Sequence, residues 1–276
     1  MTMESITPDQ EKQVVRFTED AARAAAREVL EEMSEMLGKD PVQNEVIEKG
    51  HELQAALKPV IKETLTDFLA GRTASYKTMK TIILIRTNGK SNPYFDETFK
   101  RWYKMWRDLG IKNPNFMGIA PFTAHEGYRS LILPKSDLIT PQYLYDRCNE
   151  RFDCWKWTSG SLDKVMVNEN RGRDYVVWFR DRVEADEELM DKSANDLTKL
   201  KFPGITLTER ELQEYDHFNR TGGHLDIKNI TLCSGSRYSD GTMPSVRRSD
   251  DRMNVSWDYP GDSSGPLRSR QQFFSF

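Results

Sequence analysis

The chain changes character at Gly222-Gly223. Before that pair it is marked by capped, amphipathic helical stretches; after it the sequence is rich in turn residues and in short apolar runs with no helical period. Most constraining is Met253 to Asp258, where Met253, Val255 and Trp257 alternate with Asn254, Ser256 and Asp258. Alternation of this kind makes a strand with one buried face. It predicts Met253, Val255 and Trp257 in the core and the other three exposed. Because strands and helices mix without regular alternation, the pattern favours an α+β fold over a doubly wound sheet.

Two helices are expected at the start. Thr7-Pro8-Asp9-Gln10 supplies a hydroxyl cap, a proline at the first helical position and a glutamine at the third, and that helix should stop at Gly38. Asp40-Pro41 opens a second, with Val46, Leu53, Leu57, Ile61, Leu65 and Phe68 on one face, a kink at Pro59 and an end at Gly71. Residues 1–72 therefore read as a helical hairpin, and 73–276 as the α+β domain.

Within that domain Thr81 to Ile85 reads as a buried strand, and Phe95, Phe99, Trp102, Tyr103 and Trp106 share one helix face. Strands are expected at Ser130 to Leu133 and at Tyr175 to Phe179, with Thr140-Pro141 capping a short helix between them. Thr208-Glu209-Arg210-Glu211 has the form of a capping box for a helix carrying Leu212, Tyr215 and Phe218 and ending at the glycine pair.

At 276 residues the chain is long enough for a sizeable core, and it shows no apolar run of membrane length. A net charge of −3 creates no general field for holding nucleic acid. Cys148, Cys154 and Cys233 form neither a C-x-x-C pair nor an even set, and no signal segment stands at the start, so a reduced, cytoplasmic protein is the default expectation. Surface display would need a route the sequence does not show.

After Lys228 there is neither lysine nor glutamate over 48 residues, and the cations are all arginine: Arg237, Arg247, Arg248, Arg252, Arg268 and Arg270. From Arg247 to Pro266, every residue type except Met253 and Trp257 can be reached from an AAC or AAT codon by changing adenines alone. Lysine, glutamate and glutamine cannot, because their third codon base is a purine. Such a bias points to adenine mutagenesis of a surface that binds something.

Other constellations carry weaker signals. Gly261-Asp262-Ser263-Ser264-Gly265-Pro266 resembles the nucleophile segment of chymotrypsin-like serine proteases, and Thr123-Ala124-His125 their histidine segment. Ten residues after Pro266 cannot build the specificity pocket that follows the serine in that family, so a solvated turn is the better reading and a hydrolase using Ser263 and His125 the lesser one. Asn88-Gly89-Lys90-Ser91 ends like a phosphate loop but has Leu84 where the first glycine belongs. His217 and His224, near Asp216 and Asp226, match no recognised metal spacing, and Cys233 reads as a small buried residue on a strand. No metal or other cofactor is expected.

The segment from Pro203 to Gly223 resembles the P-T-E-x-E stretch of the formylglycine-generating-enzyme branch of the C-type lectin fold, with Thr208, Glu209 and Glu211 in place. Ser234 to Arg237, Ser239-Asp240-Gly241, Pro244, Val246, Trp257, Pro260, Gly261 and Leu267 to Arg270 resemble the ends of variable proteins of diversity-generating retroelements, which commonly use this fold. The resemblance implies a C-type-lectin-like domain with a variable region over about 233–270, rewritten at adenines by an error-prone reverse transcriptase. It also implies ligand binding without catalysis, since the paired cysteines of the sulfatase-activating enzymes are lacking. The expected contacts are Tyr238, Arg247, Arg248, Ser249, Asp250, Asp251, Arg252, Asn254, Ser256, Asp258, Tyr259, Asp262, Ser263 and Ser264. The expected partner is a protein or other macromolecule, not nucleic acid and not a membrane; the sequence leaves its identity and the oligomeric state open.

Overall fold

The computed structural model describes residues 93–275 apart from 113, 115, 117–118 and 168–172. The expected hairpin over 1–72, the strand at Thr81 to Ile85 and the Asn88 to Ser91 loop lie outside the described residues. What is described is an α+β arrangement of four α-helices and two sheets.

Helix α1 (Pro93–Asp108) buries Phe95, Phe99, Trp102, Tyr103 and Trp106, whose three- and four-residue spacing puts them on one side. Trp106 Nε1 donates to the Ile132 carbonyl at 2.7 Å, tying this helix to strand β1 (Tyr128–Leu133). Edge-to-face contacts of Phe95 and Trp178 with Phe122 continue the aromatic core onto β3 (Tyr175–Arg180). β3 pairs antiparallel with β1 on one side and with β8 (Gln272–Ser275) on the other, so the first sheet runs β1-β3-β8. Helix α2 (Pro141–Asn149) starts as expected, with Thr140 accepting from the Tyr143 N–H and Pro141 in the first turn.

Helix α3 (Ala194–Lys199) and helix α4 (Leu207–Thr221) each open on a reciprocal capping box, Ser193 with Asp196 and Thr206 with Glu209. The α4 box therefore sits two residues before the expected Thr208-Glu211 pair. Thr206 has the extended backbone of a cap, and the Glu209 carboxylate reaches back to its N–H at 2.8 Å, so Thr208 is already inside the helix. At the other end Gly222 takes the left-handed conformation, φ 70°, and stops the helix as expected.

The second sheet runs β2-β6-β5-β4-β7, formed by β2 (Cys154–Lys156), β4 (Ile230–Leu232), β5 (Met243–Ser249), β6 (Arg252–Asp258) and β7 (Leu267–Arg268). β5 and β6 make an antiparallel hairpin, and β2 lies parallel to β6. Ala194, Leu232, Met243 and Leu267 pack into one core cluster at the β4–β7 end. Close backbone approach fixes the crossing beside α4: a Cβ on Gly204 would fall on the Ser234 hydroxyl, and one on Gly235 on the Gly204 carbonyl oxygen. Ser236 Oγ then accepts from the Leu207 N–H at 2.7 Å, satisfying a donor in the first turn of α4.

On β6 the expected register holds for Met253 and Val255, which are buried with Val246 opposite Val255. It fails at Trp257, which is 41% exposed. That residue lies opposite Pro244 near the end of the strand, and its indole meets the Tyr259 ring edge-on at 5.3 Å. Asn254, Ser256 and Asp258 are half-buried rather than fully exposed. The stability effects should follow burial and not alternation: Met253→Ala is expected to cost about 2–5 kcal/mol, and Trp257→Ala less than the cavity-sized loss its alternating position implies. Urea denaturation of the two variants checks this order.

Candidate functional site

Cross-strand pairing sets out the outer face of the second sheet. Arg247 lies opposite Asn254, Ser249 opposite Arg252, and Ser245 opposite Ser256, while β2 places Trp155 in register with Asn254. Trp155, Asn254 and Arg247 thus form a row across three strands, on the side away from Met253 and Val255. An open groove of about 270 Å³ runs beside this row, lined by Trp155, Arg247, Ser249, Asp250, Arg252 and Asn254. Trp155 is 43% exposed, and Arg247 and Arg252 are also exposed. Neither guanidinium makes a hydrogen bond or ion pair with another described residue.

The hairpin that carries the groove turns through Asp250 and Asp251, both in the left-handed region at φ 52° and 57°. Positive φ at both central residues is what a two-residue turn needs if it is to match strand twist. Asn254 supports the turn from below, its amide donating to the Ser249 carbonyl at 2.8 Å and the Arg252 carbonyl at 3.1 Å.

Past the hairpin, Tyr259 is 58% exposed, and its N–H is held by Asp262 Oδ2 at 3.0 Å. Asp262, Ser263 and Ser264 are exposed on the same loop, which is anchored to α3 through the Asn195 N–H and the Pro260 carbonyl. Burial pushes the Asp258 carboxyl up; a hydrogen bond with Ser245 and the charge of Arg247 oppose that shift, and Asp262 adds to it.

Two expected contacts serve other purposes. Tyr238 is buried, with its ring against Trp157 and its hydroxyl donating to the Ser256 carbonyl at 3.3 Å, so it supports the sheet from inside. Arg248 lies opposite the buried Met253, and its guanidinium is 3.4 Å from His224 Nδ1. In the other direction, Trp155 joins the face although the sequence reading passed over it. Its strand is only three residues long, too short for a period to show, and the alternation of Trp155 and Trp157 around Lys156 was the one available signal.

Behind the face stands a buried ionic network. Arg210 Nε and Nη2 donate to Asp226 Oδ2 at 3.0 and 2.8 Å, and Nη1 donates to Glu214 Oε2 at 2.8 Å. Arg270 Nη2 donates to Asp226 Oδ1 at 2.6 Å and to the Val183 carbonyl at 2.8 Å, and its Nε to Thr231 Oγ1 at 3.0 Å. Two cations face two carboxylates, all essentially without solvent exposure. His224 completes the set, 2.9 Å from Glu214 Oε1 and packed against Phe152 and Phe218. Asp216, meanwhile, pairs with Arg101 and Arg220. Asp216, His224 and Asp226 are thus committed to ion pairs or aromatic packing, and no metal-holding group of three or more His, Cys, Asp or Glu occurs among the described residues.

Burial, reinforced by Glu211 and Glu214, pushes the Cys148 and Cys154 thiols well up, which keeps them protonated and weakly nucleophilic. Cys233 is buried as expected, but it lies just beyond β4 rather than on a strand. Ser263 lies on the loop after β6, whereas the His125 ring packs edge-on to Trp178 and Phe273 ahead of β1. A larger depression of about 330 Å³ lies elsewhere, but Asp163 in its wall is already engaged by Thr140 and the Gln142 N–H. No helix among the described residues is long and apolar enough to cross a membrane. Comparison of the chain with protein-family models, curated proteins and solved structures finds no match.

Two outcomes follow. Burial alone would raise the Glu214 carboxyl, but Arg210 and His224 outweigh it and hold the group below the ordinary glutamate value. A carboxylate depressed in the folded state stabilises fully above its unfolded pKa and loses that contribution as pH falls through the folded one. Glu214→Gln should therefore destabilise the protein near neutral pH and remove part of the stability loss below about pH 4.5, as denaturation measured across pH will show. At the turn, Asp251→Val should cost about 1–2 kcal/mol because a β-branched residue resists positive φ. Asp251→Gly should shift stability by less than about 1 kcal/mol, since backbone relief and chain entropy oppose each other.

Proposed function

We propose that this chain is a non-catalytic ligand-binding protein with a C-type-lectin-like domain, whose C-terminal face is diversified by adenine-directed mutagenesis from a retroelement. One coincidence carries the reading: the adenine-reachable residues from Arg247 to Ser264, interrupted only by Met253 and Trp257, span the end of β5, the turn, β6 and the exposed loop after it. Met253, which adenine changes cannot reach, is buried beneath that surface. Trp257, equally unreachable, is exposed and would be a fixed element of it.

Support for the lectin-like assignment comes from what its motif residues do. Glu209 caps α4, Ser236 holds its first turn, and Arg270 ties the end of the chain to Asp226. Motif positions build the scaffold, while variation is left to residues facing water. The palette suits recognition: tyrosine and tryptophan give rigid amphipathic area, arginine and aspartate give charge-assisted bonds, and serine and asparagine adapt.

The reading requires a near-copy of the bases encoding residues 233–270 beside a reverse transcriptase gene, differing from them mainly at template adenines. Sequencing the locus tests that; a clean neighbourhood with an invariant tail would leave an ordinary interaction protein. On the protein, replacing Arg247, Arg252, Ser256 and Tyr259 by other adenine-reachable residues of matched net charge should change stability by only about half a kcal/mol per site. The same change should cost about 2 kcal/mol or more of binding to any captured ligand. Melting curves and titration calorimetry of the two proteins provide the check.

A further inference from the structure

The diversified-face reading leaves the chemistry of the ligand open, and the groove beside Trp155 narrows it. Trp155 lies on β2, upstream of the adenine-biased run, so on that reading it is present in every variant, while the residues around it change. It offers an exposed indole in the same row as Asn254 and Arg247, and Arg247 and Arg252, both lining the groove, are exposed and make no direct ion pair with a described residue, although the charge of Arg247 reaches Asp258. An aromatic surface beside exposed guanidinium groups accepts a planar or apolar side chain next to a carboxylate.

The surrounding charge decides how that carboxylate is presented. Between Arg247 and Ser264 three arginines stand against four aspartates, Asp250, Asp251, Asp258 and Asp262, and Asp250 itself lines the groove. A continuous polyanion such as nucleic acid or a sulfated polysaccharide would carry its next charges onto those aspartates. An isolated carboxylate would not. At about 270 Å³ the groove also has room for only one or two side chains.

Resting on the diversified-face reading, we infer that Trp155 is a fixed anchor of the binding face, and that with Arg247 and Arg252 this variant captures a protein segment in which a single acidic residue adjoins an aromatic or large apolar one.

The test is to pan a displayed random-peptide library on the full chain and to titrate the enriched peptides by fluorescence anisotropy. Enrichment of one Asp or Glu beside Trp, Tyr, Phe or Leu is expected, with binding that weakens as salt rises. Trp155→Ala, and separately Arg247→Ser with Arg252→Ser, should each weaken it about tenfold or more while the thermal melt is retained. Trp155→Phe should restore most of the affinity, which a merely structural role for Trp155 would not require. The inference is overturned if nothing is enriched, if enriched peptides lack acids or carry long acidic runs, if heparin competes with them, or if Trp155→Ala binds as tightly as the parent. Should binding survive Trp155→Ala yet be lost on replacing Ser256 and Tyr259, only the anchor falls and the diversified face stands. Indifference to all these substitutions would remove both.

Discussion

Asp226 is the residue on which the described domain turns. Its two carboxylate oxygens are shared between Arg210 of α4 and Arg270 just before β8, and Thr231 of β4 donates to it at 2.5 Å. One side chain thus joins helix α4, strand β4 of the second sheet and the segment that leads into β8. Such a network adds little net stability against a well-packed apolar alternative, but breaking one member strands an uncompensated buried charge at a cost of about 3–5 kcal/mol. Its consequence here is geometric: the paired charges fix α4 against the sheet that carries the hairpin.

On the proposed reading, a surface varies over a constant frame. The groove residues hang from β5 and β6, whose other face is sealed by Val246, Met253 and Val255, and the hairpin is held at its tip by backbone conformation and by the Asn254 amide. Constraint and freedom alternate at single-residue resolution. Arg247 and Arg252 face water, whereas Arg248, one position from Arg247, is tied through His224 to Glu214 of the buried network. The adenine-reachable set includes Asn, Asp and Gly, the residues that best tolerate the positive φ required at positions 250 and 251.

Much of this could be read in the sequence because local chemistry dictates it. The α1 aromatics, the Thr140-Pro141 start, the Gly222 stop and two of the three strands of the first sheet, β1 and β3, follow from periodicity and capping, and the structure has them close to where those rules put them. What could not be read depends on partners distant in the chain. Ten consecutive residues of α4, Leu207 to Asp216, are buried, several of them charged, and no helical period announces that. Their charges are balanced by residues distant in the chain, Asp216 by Arg101 and Arg210 by Asp226. Tyr238 looked like a surface contact from composition, yet it packs inside against Trp157, and Trp257 alternates as a core residue yet lies where the core has ended.

The central claim is that the exposed face can change while the frame beneath it cannot. A scan of every single substitution from Asp226 to Arg270, scored by resistance of the folded protein to proteolysis, puts that claim to the most direct test. The account predicts broad tolerance at Arg247, Arg252, Ser256, Tyr259, Ser263 and Ser264, preference for Asn, Asp and Gly at positions 250 and 251, and intolerance at Asp226, Thr231, Val246, Met253, Val255 and Arg270. A scan in which Arg247, Arg252 and Ser256 proved as intolerant as Met253 and Val255 would contradict it.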